Sequence, residues 1–151
     1  MRDVARRYHL PRGMIELELT ETAFTDIEKY EAGVEMIHSL QDMGFSISMD
    51  DFGSGYSSLT LLGQLPMNIM KIDRSLLESS ESSPRRQIIL EDAISLGHKL
   101  DMKVICEGIE TREQEELLLK LGCRYGQGYL FAKPMPGEAF EELLRKVDNE
   151  E

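Results

Sequence analysis

The stretch from Phe45 to Leu59, FSISMDDFGSGYSSL, decides how the chain is read. Strand side chains alternate between two faces. Phe45, Ile47 and Met49 therefore share one face, and Ser46, Ser48 and Asp50 the other. Asp51 begins the turn, and a glycine-serine loop through Gly53 and Gly55 follows. Two adjacent carboxylates at a strand end repel each other unless positive charge lies between them. A divalent cation with oxygen ligands supplies that charge. A turn alone needs only one aspartate. Gly53 and Gly55 read either as plain turn residues or as a mobile loop behind the aspartates.

Upstream, Met14 to Glu21 reads MIELELTE. Leu17 and Leu19 share one face, and Glu16, Glu18 and Thr20 the other. Such a strand is edge-exposed or lines a polar site. A second strand ending in acids favours the site. Pro11 and Gly13 stop any helix over residues 1–9. Thr25 and Glu28 have capping-box spacing. The helix they open runs to about Met43, with Met36, Ile37, Leu40 and Met43 on one face and Gly44 at its C-terminal end.

Downstream, a short helix near Ser58 to Gln64 ends before Pro66, and IMKID (69–73) is a third strand with Lys71 and Asp73 on one face. ESSESSP (78–84) reads as a loop. Pro84 opens a helix whose apolar stripe is Ile89, Ala93, Leu96, Gly97 and Leu100. KVICE (103–107) is a fourth strand ending in a carboxylate. TREQ (111–114) is a second capping box, and its helix, through Leu117, Leu118 and Leu121, stops at Gly122. GQGYLF (126–131) is a fifth strand. A last helix, Pro136 to Val147, turns Phe140, Leu143, Leu144 and Val147 toward the core.

This βα alternation predicts a parallel sheet with right-handed crossovers. The strands' C-terminal ends then gather on the side where such folds bind ligands. Polar inward residues at Glu16, Ser46, Ser48 and Lys71 favour a barrel interior. Five βα units are too few for an eight-stranded barrel, which needs roughly 250 residues.

The chain has 151 residues, enough for one domain with a real core, and a formal charge of −11. That field repels a nucleic-acid duplex but admits a small phosphorylated ligand bridged by metal ions. Much of the acidity is ordinary solubilising charge. Cys106 and Cys123 lack metal-ligand or CxxC spacing and read as reduced core thiols. No run approaches a membrane span, and MRDVARRYHLPRG lacks the apolar centre of a signal peptide. A cytoplasmic location is the expectation.

With the strands side by side, Glu18, Asp50, Asp51, Lys71 and Glu107 converge. Carboxylates with a lysine suit two-metal phosphodiester hydrolysis, in which hard cations about 3.5–4 Å apart stabilise attacking and leaving oxygens together. The lysine would hold the attacking water or offset developing charge, Asp50 would bridge the ions, and Glu107 would bind a metal-bound water or act as base. Each residue also has a plainer reading. Glu18 alone is a solvated strand residue, Lys71 alone snorkels to solvent, and Glu107 and Glu110 pair with nearby cations.

The segments LELTE (17–21), DDFGSGYSSL (50–59), LPMNIMKIDRSL (65–76), EGIET (107–111) and LGCRYGQGYLFAKPMP (121–136) resemble, in order, the motifs of the EAL domains, the cyclic di-GMP phosphodiesterases. The resemblance implies residue roles. Glu18 corresponds to a metal-binding glutamate, Asp50 and Asp51 to the metal-binding aspartate pair, and Lys71 to the lysine that contacts the catalytic water. Glu107 corresponds to an outer metal ligand or base, Gln127 to a substrate-side glutamine, and Glu21 to a residue that steadies the loop bearing Gly53 and Gly55. It implies Mg²⁺- or Mn²⁺-dependent opening of cyclic di-GMP to linear pGpG.

It also implies an eight-stranded (β/α) barrel, of which residues 1–151 look like strands four to eight of a single EAL domain. The naming Glu-Ala-Leu motif and a metal-binding asparagine fall outside this sequence. The expectation is weak or absent activity for these residues alone. The alternative is a non-catalytic cyclic di-GMP-binding or interaction module, a homodimer associating through open sheet edges.

Overall fold

The computed structural model describes residues 7–20, 27–54, 59–81 and 83–148. Its elements alternate along the chain. Strand β1 (Glu16–Thr20) is followed by helix α1 (Ile27–Asp42), β2 (Ser46–Phe52), α2 (Leu59–Gln64) and β3 (Ile69–Ile72). Then come α3 (Arg74–Glu81), α4 (Pro84–Lys99), β4 (Lys103–Cys106), α5 (Arg112–Lys120), β5 (Tyr125–Gly126) and α6 (Gly137–Asp148). The strands form one parallel sheet in the order β1-β2-β3-β4-β5. This is the α/β architecture that the alternation predicts.

Strand alternation decides which side chains meet the helices. Ile47, Met70, Ile72, Val104 and Cys106 are almost fully buried and join Ile37, Leu77, Leu90 and Ile94 in the core. Burying each large aliphatic chain is worth roughly 1.5–3 kcal/mol. Helix α1 packs on β2, and α4 on β4. The opposite face of the sheet is polar yet closed, with Ser48 at 0% and Lys71 at 6% exposure. That combination fits the concave side of a curling sheet.

Four expectations change. The fifth strand is only Tyr125–Gly126. From Gly128 the chain turns, with Phe131 and Ala132 N–H groups donating to the Gly128 carbonyl. Gly128 lies so close to Ile109 that a β-carbon would sit 2.1 Å from the Ile109 carbonyl oxygen. Glu78 to Glu81 is helix rather than loop, because Leu77, at 0% exposure, anchors α3 in the core. In α4 the buried positions are Leu90, Ala93, Ile94 and Gly97, whereas Ile89 and Leu100 are exposed. The stripe is rotated by about one residue because Gly97 packs directly on Val104 and Met70.

Finally, α6 leaves Phe140 and Leu144 about half exposed. No strand follows β5 among the described residues, and Phe140 lines a cavity shared with Glu107 and Gln127. The Thr25–Glu28 capping box, most of the N-terminal helix, and the Val147 side chain lie outside what is described. Among the described residues, no helix is long and apolar enough to cross a membrane.

Candidate active site

Lys71 is the centre of the site. Its Nζ lies 2.5 Å from Glu18 Oε1, 2.6 Å from Glu107 Oε1 and 3.3 Å from Asp50 Oδ1. Sheet register produces this meeting. Glu18 pairs with Ser48 and Thr20 with Asp50, so both acids share the polar face. Lys71 pairs with Ile105, two residues before Glu107. Burial lowers the lysine's pKa, but hydrogen bonds to Glu107 and Glu18 and the Glu107 and Asp50 charges outweigh it. The ammonium ends above the ordinary lysine range and stays charged.

Strict alternation would send Asp51 to the opposite face from Asp50. Instead the strand continues to Phe52 with a register irregularity between Met49 and Phe52, and Asp51 takes φ +58°. A bulge with one left-handed residue re-aims a side chain. It brings Asp51 beside Asp50 and Glu107, with one oxygen of each within 4.8 Å of the others. The Asp51 pKa is raised, chiefly by the Asp50 charge, then by desolvation and Asp73, with Lys71 opposing.

Asp50 Oδ1 is buried with no hydrogen-bond partner among the described residues. Its contact with Lys71 is an ion pair without hydrogen-bond geometry. Buried polar atoms rarely go unpartnered. Hard cations bind oxygens at about 2.0–2.6 Å, so one ion can bridge oxygens spaced as these are. The donor set fits a divalent cation.

Glu18 does not join that group. It is half exposed and tied to Lys71. Gln127 Nε2 donates to Glu107 Oε1 at 2.7 Å, which puts the glutamine at the site's edge. Gly53, at φ +95°, turns the chain off β2 beside Leu76. Glu21 and Gly55 lie outside the described residues. A cavity of about 570 Å³ adjoins Glu107 and Gln127, with Arg74, Tyr129, Lys133 and Phe140 also in its walls. That size suits a small-molecule ligand.

The sequence reading passed over Arg74. It pairs with Glu110 at 2.8 Å, and its position directly after IMKID was the available signal. Cys106 and Cys123 are free, buried thiols. Burial raises both pKa values, that of Cys106 to about 12.

The family model described as EAL domain matches residues 1–134. The cyclic di-GMP phosphodiesterase RocR of Pseudomonas aeruginosa is 38% identical over 133 residues, covering 88% of this chain and 33% of RocR. The crystal structure of the EAL domain of Mycobacterium smegmatis DcpA superposes with a TM-score of 0.88 at 34% identity, covering 96% of this chain and 64% of that one. The cyclic di-GMP complex of the PaMucR phosphodiesterase gives a TM-score of 0.80 at 38% identity, covering 92% and 56%. The chain thus spans a third of RocR and more than half of each of these two solved chains. The parallel sheet, its acid-rich rim and these matches are those of a partial (β/α)₈ barrel, and the chain belongs to the EAL domain family.

Proposed function

We propose that this chain carries the catalytic rim of a phosphodiesterase that hydrolyses cyclic di-GMP to linear pGpG. The observation that carries the reading is the group Asp50, Asp51 and Glu107, in which Asp50 Oδ1 is buried without a hydrogen-bond partner among the described residues, beside a charged Lys71. Family membership and relatives that act on or bind cyclic di-GMP support it. Residues 1–151 are read as the C-terminal part of one EAL domain.

Asp50, Asp51 and Glu107 would hold the metal, with Glu18 beside them. Oxygen-only donors favour Mg²⁺ or Mn²⁺ over softer ions. When bound, such ions supply Lewis acidity at the phosphoryl oxygens and lower the pKa of water. The carboxylates around Lys71 favour its protonated form, which suits a hydrogen-bond donor rather than a base. Lys71 donates hydrogen bonds, and its charge offsets negative charge that grows on the phosphorus-bound oxygens during attack. It also holds Glu18 and Glu107 at fixed separation. Gln127 fixes Glu107 Oε1 from the cavity side. Hydrolysis adds water's OH to phosphorus and breaks the P–O3′ bond, with the proton passing to O3′. A cytoplasmic location is part of this proposal.

A second reading, cyclic di-GMP binding or self-association without turnover, is favoured by the two sheet edges. Neither β1 nor β5 has an outer neighbour among the described residues, and open edges invite pairing. One experiment separates the readings. The purified chain is incubated with cyclic di-GMP and Mg²⁺ or Mn²⁺, pGpG is followed by chromatography, and mass is measured by light scattering. Weak metal-dependent pGpG formation, abolished by Asp50→Asn, is the expected result. Binding or dimerisation without turnover supports the second reading. A folded monomer that neither binds nor cleaves cyclic di-GMP overturns both.

A further inference from the structure

Arg74 lines the cavity beside Glu107 and Gln127, and its side chain crosses the loop that follows Glu107. It is the first residue of α3, two residues past the end of β3. Its stem lies against Gly108, the residue after Glu107. A β-carbon on Gly108 would stand 2.7 Å from Arg74 Cβ and Cγ and 2.8 Å from Cδ. Gly108 has φ +70°, a conformation in which glycine is held only by its neighbours.

The guanidinium is fixed at two points. Nε donates to Glu78 Oε1 at 2.5 Å on its own helix, and Nη1 lies 2.8 Å from Glu110 Oε1 across the gap. The Glu110 N–H in turn donates to Gln114 Oε1 at 2.8 Å, and Gln114 is a buried member of the α5 capping box. A continuous chain of contacts therefore runs from α3 to α5 over Gly108. The loop backbone is anchored underneath by Glu107 N–H to the Ile72 carbonyl and Ile109 N–H to the Gln127 carbonyl. The Arg74 stem lies where a side chain on Gly108 would stand.

We infer that Arg74 is a positioning residue, clamped by Glu110 across Gly108 so that the Glu107 carboxylate is held in the group formed with Asp50 and Asp51. This rests on reading that group as a divalent-cation site. As a half-exposed ion pair, Arg74–Glu110 adds little to stability. Its effect is on geometry, and partners that orient a metal ligand tune metal affinity strongly.

The sign of the effect makes the test decisive. Coulomb's law alone says that removing a cation near a cation site tightens binding. Loss of positioning says that it weakens. Mn²⁺ binding to the full chain is measured by calorimetry and by electron paramagnetic resonance of free Mn²⁺, with circular dichroism to confirm folding. Arg74→Ala is expected to weaken Mn²⁺ binding about ten-fold. Arg74→Lys, which keeps a stem over Gly108 and a charge, is expected to restore most of the affinity. Unchanged or tighter binding by Arg74→Ala overturns the inference, and so does equal loss in the lysine variant. Wild-type chain that binds no Mn²⁺, or binds it equally well as Asp50→Asn, overturns the cation site itself and the inference with it. A positioning effect is thus told apart from a failed site by the wild-type titration.

Discussion

Lys71 illustrates how one residue sets the terms for its neighbours. Burial alone would lower its pKa, but the acids around it keep the charge in place. The same ammonium keeps Glu18, Asp50 and Glu107 from repelling one another. Lys71→Met should therefore lower the unfolding midpoint in chelator. Breaking one side of a fully buried charge pair costs about 3–5 kcal/mol. Because Glu18 is half exposed, about 1–3 kcal/mol is expected here. Mn²⁺ should raise the melting temperature of that variant more than that of wild type, because bound metal replaces the lost charge and adds its own stabilisation. Turnover should fall by about 10²–10³. Thermal melts with and without Mn²⁺ check the first two; a larger metal response in wild type would refute the charge-balancing role. The sequence showed the five converging residues through alternation and position. It could not show Asp51 turning onto Asp50's side, since a bulge depends on pairing with β3. Nor could it show that Glu18 stands off the three-carboxylate group, because that distance is set by Lys71's reach.

Elements differ in how far their own residues specify them. Helix α5 announces itself locally. Thr111 accepts from the Gln114 N–H, and the Gln114 side chain returns to the Thr111 N–H, as its TREQ spelling predicts. Helix α3 does not. Its serines favour turns, and in the structure Ser79 and Ser80 hydroxyls donate to carbonyls three residues back. Beside the local Asp73 cap and the Arg74–Glu78 pair, burial of Leu77 is the main tertiary anchor of the helix. Two substitutions should separate local from tertiary stabilisation. Thr111→Ala should cost about 1 kcal/mol, and Leu77→Ala about 2–5 kcal/mol. Urea midpoints at constant slope measure both. If the two losses came out equal, α3 would be locally stabilised and the account of the misread loop would be wrong. The rotated stripe of α4 has the same origin. Periodicity located an apolar face, but the close approach of Gly97 to Val104 and Met70 chose which residues point inward.

At the scale of the whole molecule, the parallel sheet with its acidic rim could be read from strand and helix order. The half-exposed Phe140 and Leu144 could not, because helix periodicity says which face is apolar but not whether anything lies beneath it. The closed core has a consequence for pH that depends on both thiols being sealed inside it. Cys106 and Cys123 are buried, and desolvation raises both pKa values, that of Cys106 from 9.0 to about 12. In the unfolded chain, thiols lose their protons from roughly pH 8.5 upward. Below that pH both states hold the protons, and the thiols' contribution to stability is fully present. Above it the unfolded state releases protons that the folded state keeps. Stability therefore falls as pH rises toward the folded pKa, by up to about 1.4 kcal/mol per pH unit for each thiol. Urea denaturation of wild type between mildly alkaline and strongly alkaline pH should show this decline. Cys106→Ala removes one of the two groups and should flatten it, while other titrating residues contribute equally to both proteins. In parallel, a thiol reagent should react slowly with folded protein and rapidly once urea is added. Identical pH slopes for wild type and Cys106→Ala, or fast reaction of the folded thiols, would mean that the core around β4 opens far more readily than its packing implies.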